Sequence, residues 1–403
     1  MKKQIISVKM QSVFISLCIV LLVFLGMFSM PVKTVLAETN EAQTQSEAEL
    51  DETVREQLDE LDLQGLQEYL DTLDGFTDMD VGERLLAYIK GTPFDYEGFG
   101  KQILEVLFAK VSEILPAFAC IAAVTLLSAL ITTLKSGTAG KTSGEMIFLI
   151  TYAAALIPLI AVLTECFTEA IDSVSAMQTQ MQLVFPIMLT LMAASGGSLS
   201  AAVCRPAVAF FSTTIVAVIR SIVFPITITI IVFSMASNLT SELKIGKFTA
   251  FFKSINKWLI GVSVSVFGLF FTLQGITSAS YDGVVRRAMK YAIGNGVPIV
   301  GGFLSGGFDL AVAGSILIKN SLGVFGIFLL ISVLFEPLIL LISVNLLLRL
   351  TAAITQPFGD GRISDFLGET ATNLQYCTAG LLFTAFMYFL AIVLMIFSTE
   401  ALL

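Results

Sequence analysis

The chain has no histidine among its 403 residues. That excludes Ser-His-Asp hydrolysis, His-ligated metal centres and imidazole proton relays. Charge is scarce as well: Asp, Glu, Lys and Arg make up 14% of residues, against about a quarter in an ordinary soluble domain. The five cysteines (Cys18, Cys120, Cys166, Cys204 and Cys377) lie far apart, with no CxxC pair. Zinc, iron–sulfur and thioredoxin-like chemistry therefore lose support, and the thiols read as small apolar side chains. No G-x-x-x-x-G-K-[ST] stretch occurs, so nucleotide hydrolysis by a P-loop is absent. Tyr281-Asp282 and Phe358-Gly359-Asp360-Gly361 are only faintly like the paired aspartates of intramembrane aspartyl proteases, and both fall in expected loops. The expectation is a non-enzyme, with no cofactor, no metal and no nucleic-acid partner.

What fills the chain is hydrocarbon. Hydrophobic residues reach 56%, and the mean hydropathy is +0.87. Apolar runs near twenty residues recur, and about twenty residues of helix cross the hydrocarbon core. The fold class is an all-α polytopic integral membrane protein, with about seven to ten apolar segments.

Lys2, Lys3 and Lys9 precede an apolar run from about Val13 to Met30, and Val35-Leu36-Ala37 follows. This describes a signal peptide over 1–37, with an uncleaved anchor as the competing reading. Either way the following residues face outward, because the lysines hold the start inside. From Glu38 to Lys90 there are sixteen Asp/Glu against three Lys/Arg, whereas 91–403 has sixteen of each. Acidity thus belongs to one small extracytoplasmic segment, 38–98, ahead of a membrane domain over 99–403. Within it Val54, Leu58, Leu61, Leu66, Leu70 and Leu73 recur at helical spacing, so short amphipathic helices are expected.

In the membrane domain, apolar segments fall at about 115–134, 145–163, 183–195, 199–219, 221–236, 258–276, 297–305, 310–333, 335–355 and 376–397. The basic loop with Lys135 and Lys141 is expected inside, and an acidic loop with Glu165, Glu169 and Asp172 outside. The lysine-rich stretch 238–257 is expected to lie as an amphipathic helix at the cytoplasmic interface. AMQTQMQLVFPI (176–187) aligns with AMKYAIGNGVPI (288–299) at an offset of 112, and Pro225 falls on Pro337 at the same offset. With slight slippage GKFTAFF (246–252) meets GRISDFL (361–367). An internal repeat follows, about 165–276 and 277–397, inverted or parallel. Two short segments carry its helix breaks: Pro186 with Gly196 and Gly197, and Pro298 with Gly301, Gly302, Gly306 and Gly307.

Ionisable residues at membrane depth are costly and point to function. Asp309, Lys319, Asn320, Glu336 and Arg205 are the candidates for a midplane pathway, with internal structural pairing as the alternative for the charges.

Gly296-Val297-Pro298-Ile299-Val300-Gly301, followed by Ser305, Asp309 and Lys319-Asn320, resembles the stage III sporulation protein AE family of endospore-forming bacteria. The likeness extends over nearly the whole length. It implies a multi-pass component of the channel complex that joins mother cell to forespore. It further implies a location in the mother-cell membrane facing the forespore. The implied partners are the other membrane proteins of that complex, a forespore membrane partner and the lipid bilayer. The family supplies no catalytic residues to carry over. An independent secondary transporter and a purely structural anchor remain the alternatives.

Overall fold

Three pairs of aliphatic residues, each spaced i,i+4, anchor the acidic N-terminal region: Val54 with Leu58, Leu66 with Leu70, and Val81 with Leu85. All six are buried. The computed structural model describes residues 41–73, 79–90, 96–135, 141–239, 245–296, 301–357 and 361–400. In it α1 spans Glu41–Glu60, α2 Gln64–Leu70 and α3 Val81–Ile89. Asp80 caps α3 by accepting from the Gly82 amide at 3.0 Å, a bond worth about 1 kcal/mol. The Val81 amide donates to Gln67 Oε1 at 2.9 Å and ties α3 back to α2. The chain divides into two compact units, Met1–Glu49 and Leu50–Leu403. Glu41–Glu49 is the described part of the first and is helical.

The membrane domain consists of long helices, with no strand among the described residues. They are α4 (Tyr96–Lys135), α5 (Lys141–Ala194), α6 (Ser198–Phe210), α7 (Val216–Val218), α8 (Phe224–Leu239), α9 (Gly246–Gly296), α10 (Gly301–Thr355) and α11 (Gly361–Glu400). Two π-helical segments, Phe211–Ile215 and Ile219–Val223, join α6, α7 and α8 into one rod. Among the described residues, six helices are long and apolar enough to cross a membrane.

The apolar segments of the sequence merge into fewer, longer helices. The stretch 164–182 contains neither glycine nor proline, so nothing interrupts the helix, and the expected acidic loop is the middle of α5. The stretch 277–296 is likewise helical, as the end of α9. The interfacial stretch continues into the same helix, from Gly246.

Pro186 does not break α5, contrary to the sequence reading. Its ring is exposed, and the one bond it removes leaves only the carbonyl of the equally exposed Gln182. The chain turns instead at Gly196, where φ is 93°. There the Gly197 amide donates to Met192 O at 2.9 Å and the Gly196 amide to Ala193 O at 3.1 Å. This is a Schellman end, whose left-handed residue is best filled by glycine. Pro298 lies outside the described residues, and Gly301, Gly302, Gly306 and Gly307 sit in the first turns of α10.

Helix α11 is the central one. Between Gly361 and Phe397 it is exposed only at Gly361, Asp365, Glu369 and Phe397. Close approach to its neighbours needs glycine at the contacts. A Cβ on Gly323 of α10 would lie 2.5 Å from Ile396, and one on Gly380 of α11 would lie 2.9 Å from the Phe224 ring.

Candidate functional site

The sequence-derived charges do not converge. Lys319 is fully buried, and its ammonium donates to the Ile396 carbonyl at 2.8 Å, near the C-terminal end of α11. The freed carbonyls and partial negative charge of a helix C-terminus suit a cation there. Glu336 lies 17 positions further along the same uninterrupted helix, about 25 Å away at 1.5 Å per residue. It pairs with Lys110 of α4 at 2.9 Å, and Lys110 also reaches Glu113 at 3.5 Å. Glu169, Glu165 and Asp172 of α5 interact electrostatically with this group, so one lysine stands among five carboxylates. Arg205 is exposed on α6, while Asp309 and Asn320 are half-buried near the start of α10.

A polar set that the sequence reading missed lies deeper. Ser234 of α8 donates to Glu369 of α11 at 2.5 Å, and Asn238 approaches the same oxygen at 3.4 Å. Asn256 of α9 donates to Thr227 Oγ1 at 2.8 Å. Tyr152 of α5 donates to Met235 O at 2.8 Å. On α11, Thr370 and Asn373 are both fully buried. The Thr370 hydroxyl and both polar atoms of the Asn373 amide have no hydrogen-bond partner. They share a stripe with Phe366, which packs on Tyr152 with ring centroids 5.3 Å apart, and with Cys377, which lies near Cys166. Thr370 and Asn373 thus face α5 between Tyr152 and Cys166. A buried amide without partners loses roughly 1–3 kcal/mol per unmade bond, and such groups hold water or a polar solute. The sequence signal was the recurrence of Thr249, Asn256 and Ser263 at seven-residue intervals on α9. Thr370 and Asn373 escaped notice because 356–375 reads as a loop.

A separate crevice is lined by Met181, Phe185, Phe211, Phe267, Met387 and Met395 among others, all apolar. Phe211 of the first π segment closes it edge-on to Phe267, at 5.1 Å. It offers no group for acid–base work.

Among the described residues, five long apolar helices packed around a sixth, the nearly enclosed α11, define a polytopic α-helical membrane protein. The family model described as Stage III sporulation protein AE matches residues 79–399, and the chain belongs to that family of sporulation-related membrane proteins. It is 25% identical to Stage III sporulation protein AE of Bacillus subtilis (strain 168) over 313 residues, 77% of this chain and 78% of the relative. No solved structure matches.

Proposed function

We propose that the protein is a non-enzymatic membrane component of the sporulation channel linking mother cell and forespore. It sits in the mother-cell membrane, with its acidic N-terminal helices facing the forespore and available to the other membrane proteins of the complex. Family membership over 79–399 carries this reading. The exposed carboxylates of α1 and α2, including Glu52, Glu56, Asp59 and Glu60, support a docking role for that region.

The membrane domain is built as two copies of one plan. At an offset of 112 the rod Ser198–Leu239 falls on α10, and at 115 the start of α9 falls on the start of α11. Each copy holds two spans, and an even number keeps the orientation, so the helix order supports a parallel repeat. The unpartnered polar atoms at Thr370 and Asn373 favour a second reading, in which the domain is an independent secondary transporter of a polar solute.

The two readings separate in sporulating cells. Affinity capture of the full-length protein from solubilised membranes should bring down the other channel proteins, and its deletion should abolish late forespore gene expression. Isolation of a solitary protein would favour the independent transporter and overturn the channel reading.

A further inference from the structure

We infer that the bilayer surrounds only one half of the helix bundle, and that the half bearing Lys319 and Asp309 stands outside it, in water. The observations come from three places.

The first is the position of the acidic helices. Gln57 donates to Ala311 O at 2.9 Å, and Ser321 donates to Leu85 O at 2.8 Å. Tyr88 stacks on Phe328 with centroids 5.7 Å apart, and Gln180 donates to the Tyr69 hydroxyl at 3.1 Å. Thus the described residues between Leu50 and Ile89 lie alongside residues 311–328 of α10 and the neighbourhood of Gln180 on α5. Their outer faces expose Glu52, Glu56, Asp59, Glu60, Asp62 and Glu68. A sheath carrying that many carboxylates does not enter hydrocarbon, so neither does the level of the bundle it covers.

The second is a change of surface along single helices. In the first half of α5 the large exposed side chains are Met146, Leu149, Ile150, Ile157 and Ile160, with exposed Glu145 near the helix start. From Thr164 onward the exposed positions are Thr164, Thr168, Asp172, Thr179, Gln182, Pro186, Thr190, Ala193 and Ala194, with no large aliphatic side chain among them. On α10 the large exposed apolar residues, Ile342, Leu346, Leu350 and Ile354, all follow Glu336. An α-helix 54 or 55 residues long measures about 80 Å, more than twice the roughly 30 Å hydrocarbon core. One half of each must leave it.

The third is a charged level at the transition. Lys110, Glu113, Glu169 and Glu336 lie together there. Arg220 is exposed at a matching height on the rod. From Arg220 to Leu239, and from Glu336 to Thr355, is about 20 residues, or roughly 30 Å of helix. The lipid-facing half therefore runs from this level to the ends Lys135, Leu239 and Thr355. Two smaller apolar patches lie beyond this level: Leu199, Val203 and Phe210 on α6, set off from the belt by exposed Thr213, Thr214, Arg220 and Ser221, and Leu104 and Phe108 on α4, set off by Lys110. The polar set around Asn373 lies within the lipid-facing half, whereas Lys319 does not.

Spin labels on single cysteines test the register. The full-length protein, with Cys18 and Cys120 replaced by serine, would be reconstituted in bilayer nanodiscs. Labels at Ile150→Cys, Ile157→Cys and Leu346→Cys should relax with dissolved oxygen, and those at Thr168→Cys, Thr179→Cys and Thr190→Cys with a water-soluble nickel chelate. Oxygen-dominated relaxation at Thr179 and Thr190 would overturn the inference. A second readout needs no labelling. Thr179→Asp and Thr190→Asp should accumulate to wild-type levels in membranes, while Ile157→Asp should not. Loss of both threonine variants alongside Ile157→Asp would equally refute it.

Discussion

Lys319 of α10 donates to the backbone carbonyl of Ile396 near the end of α11. It is among the largest fully buried side chains of the protein. One turn further along α10, the missing Cβ of Gly323 admits the Ile396 side chain. The lysine thus fastens two helices, and its charge faces a helix end. Replacement by methionine, which keeps the volume, should preserve membrane accumulation and forespore gene expression. Replacement by alanine should cost about 2–4 kcal/mol through the cavity left behind and should lower the amount of protein. Normal accumulation of Lys319→Met without forespore expression would show that the charge itself is needed.

Gly323 and Gly380 should tolerate no side chain. Alanine at either meets a neighbour within 3.0 Å, an overpacking worth about 1–3 kcal/mol. Gly261 and Gly268 on α9 have open space around the missing Cβ, and alanine there should gain up to about 1 kcal/mol through helix propensity. Thermal unfolding of the detergent-solubilised variants separates the two pairs by the sign of the shift in Tm.

The lysine of the Lys110–Glu336 pair balances several carboxylates, so its loss should matter more than the loss of one exposed ion pair. Lys110→Ala should destabilise by about 1 kcal/mol, since the Glu336 side chain is 52% exposed and well screened. Adding Glu336→Gln should recover most of that, because it removes one of the repelling charges. A double-mutant cycle at low salt, repeated at about 0.5 M salt where screening shortens the reach of charge to a few ångströms, measures the coupling.

Alkali should loosen the acidic helices. Burial raises the hydroxyl pKa of Tyr69 and of Tyr88, outweighing respectively the Gln180 hydrogen bond and the nearby Arg84. Both groups are therefore held neutral in the folded state beyond the usual tyrosine value of about 10. Their contribution is fully present below that pH and is lost as pH rises through the raised folded values. Protease cleavage within α2 and α3 should increase above about pH 10, and much less so in the Tyr69→Phe, Tyr88→Phe double variant.

The membrane class was legible in composition alone, because a chain with so little charge and so many apolar runs has no soluble fold available to it. The short helices of the acidic region were legible too: Val54, Leu58, Leu66 and Leu70 mark buried faces by spacing. The family was legible as well: the resemblance noted from Gly296 to Asn320 agrees with the family match over residues 79–399. What the sequence could not determine was where helices stop. Hydropathy divides α5 and α10 at their polar middles, but a helix ends where its backbone bonds end, and 164–182 offers no residue to end them. Nor could spacing tell which polar residues meet. By sequence Lys319 and Glu336 are candidates for one pathway, yet the helix rise holds them about 25 Å apart. Each instead finds a partner from another helix, Ile396 and Lys110. Thr370 and Asn373, in a segment that reads as a loop, are buried because α11 passes through the centre of the bundle. Burial of that kind is decided by packing between distant segments, and only the tertiary structure contains it.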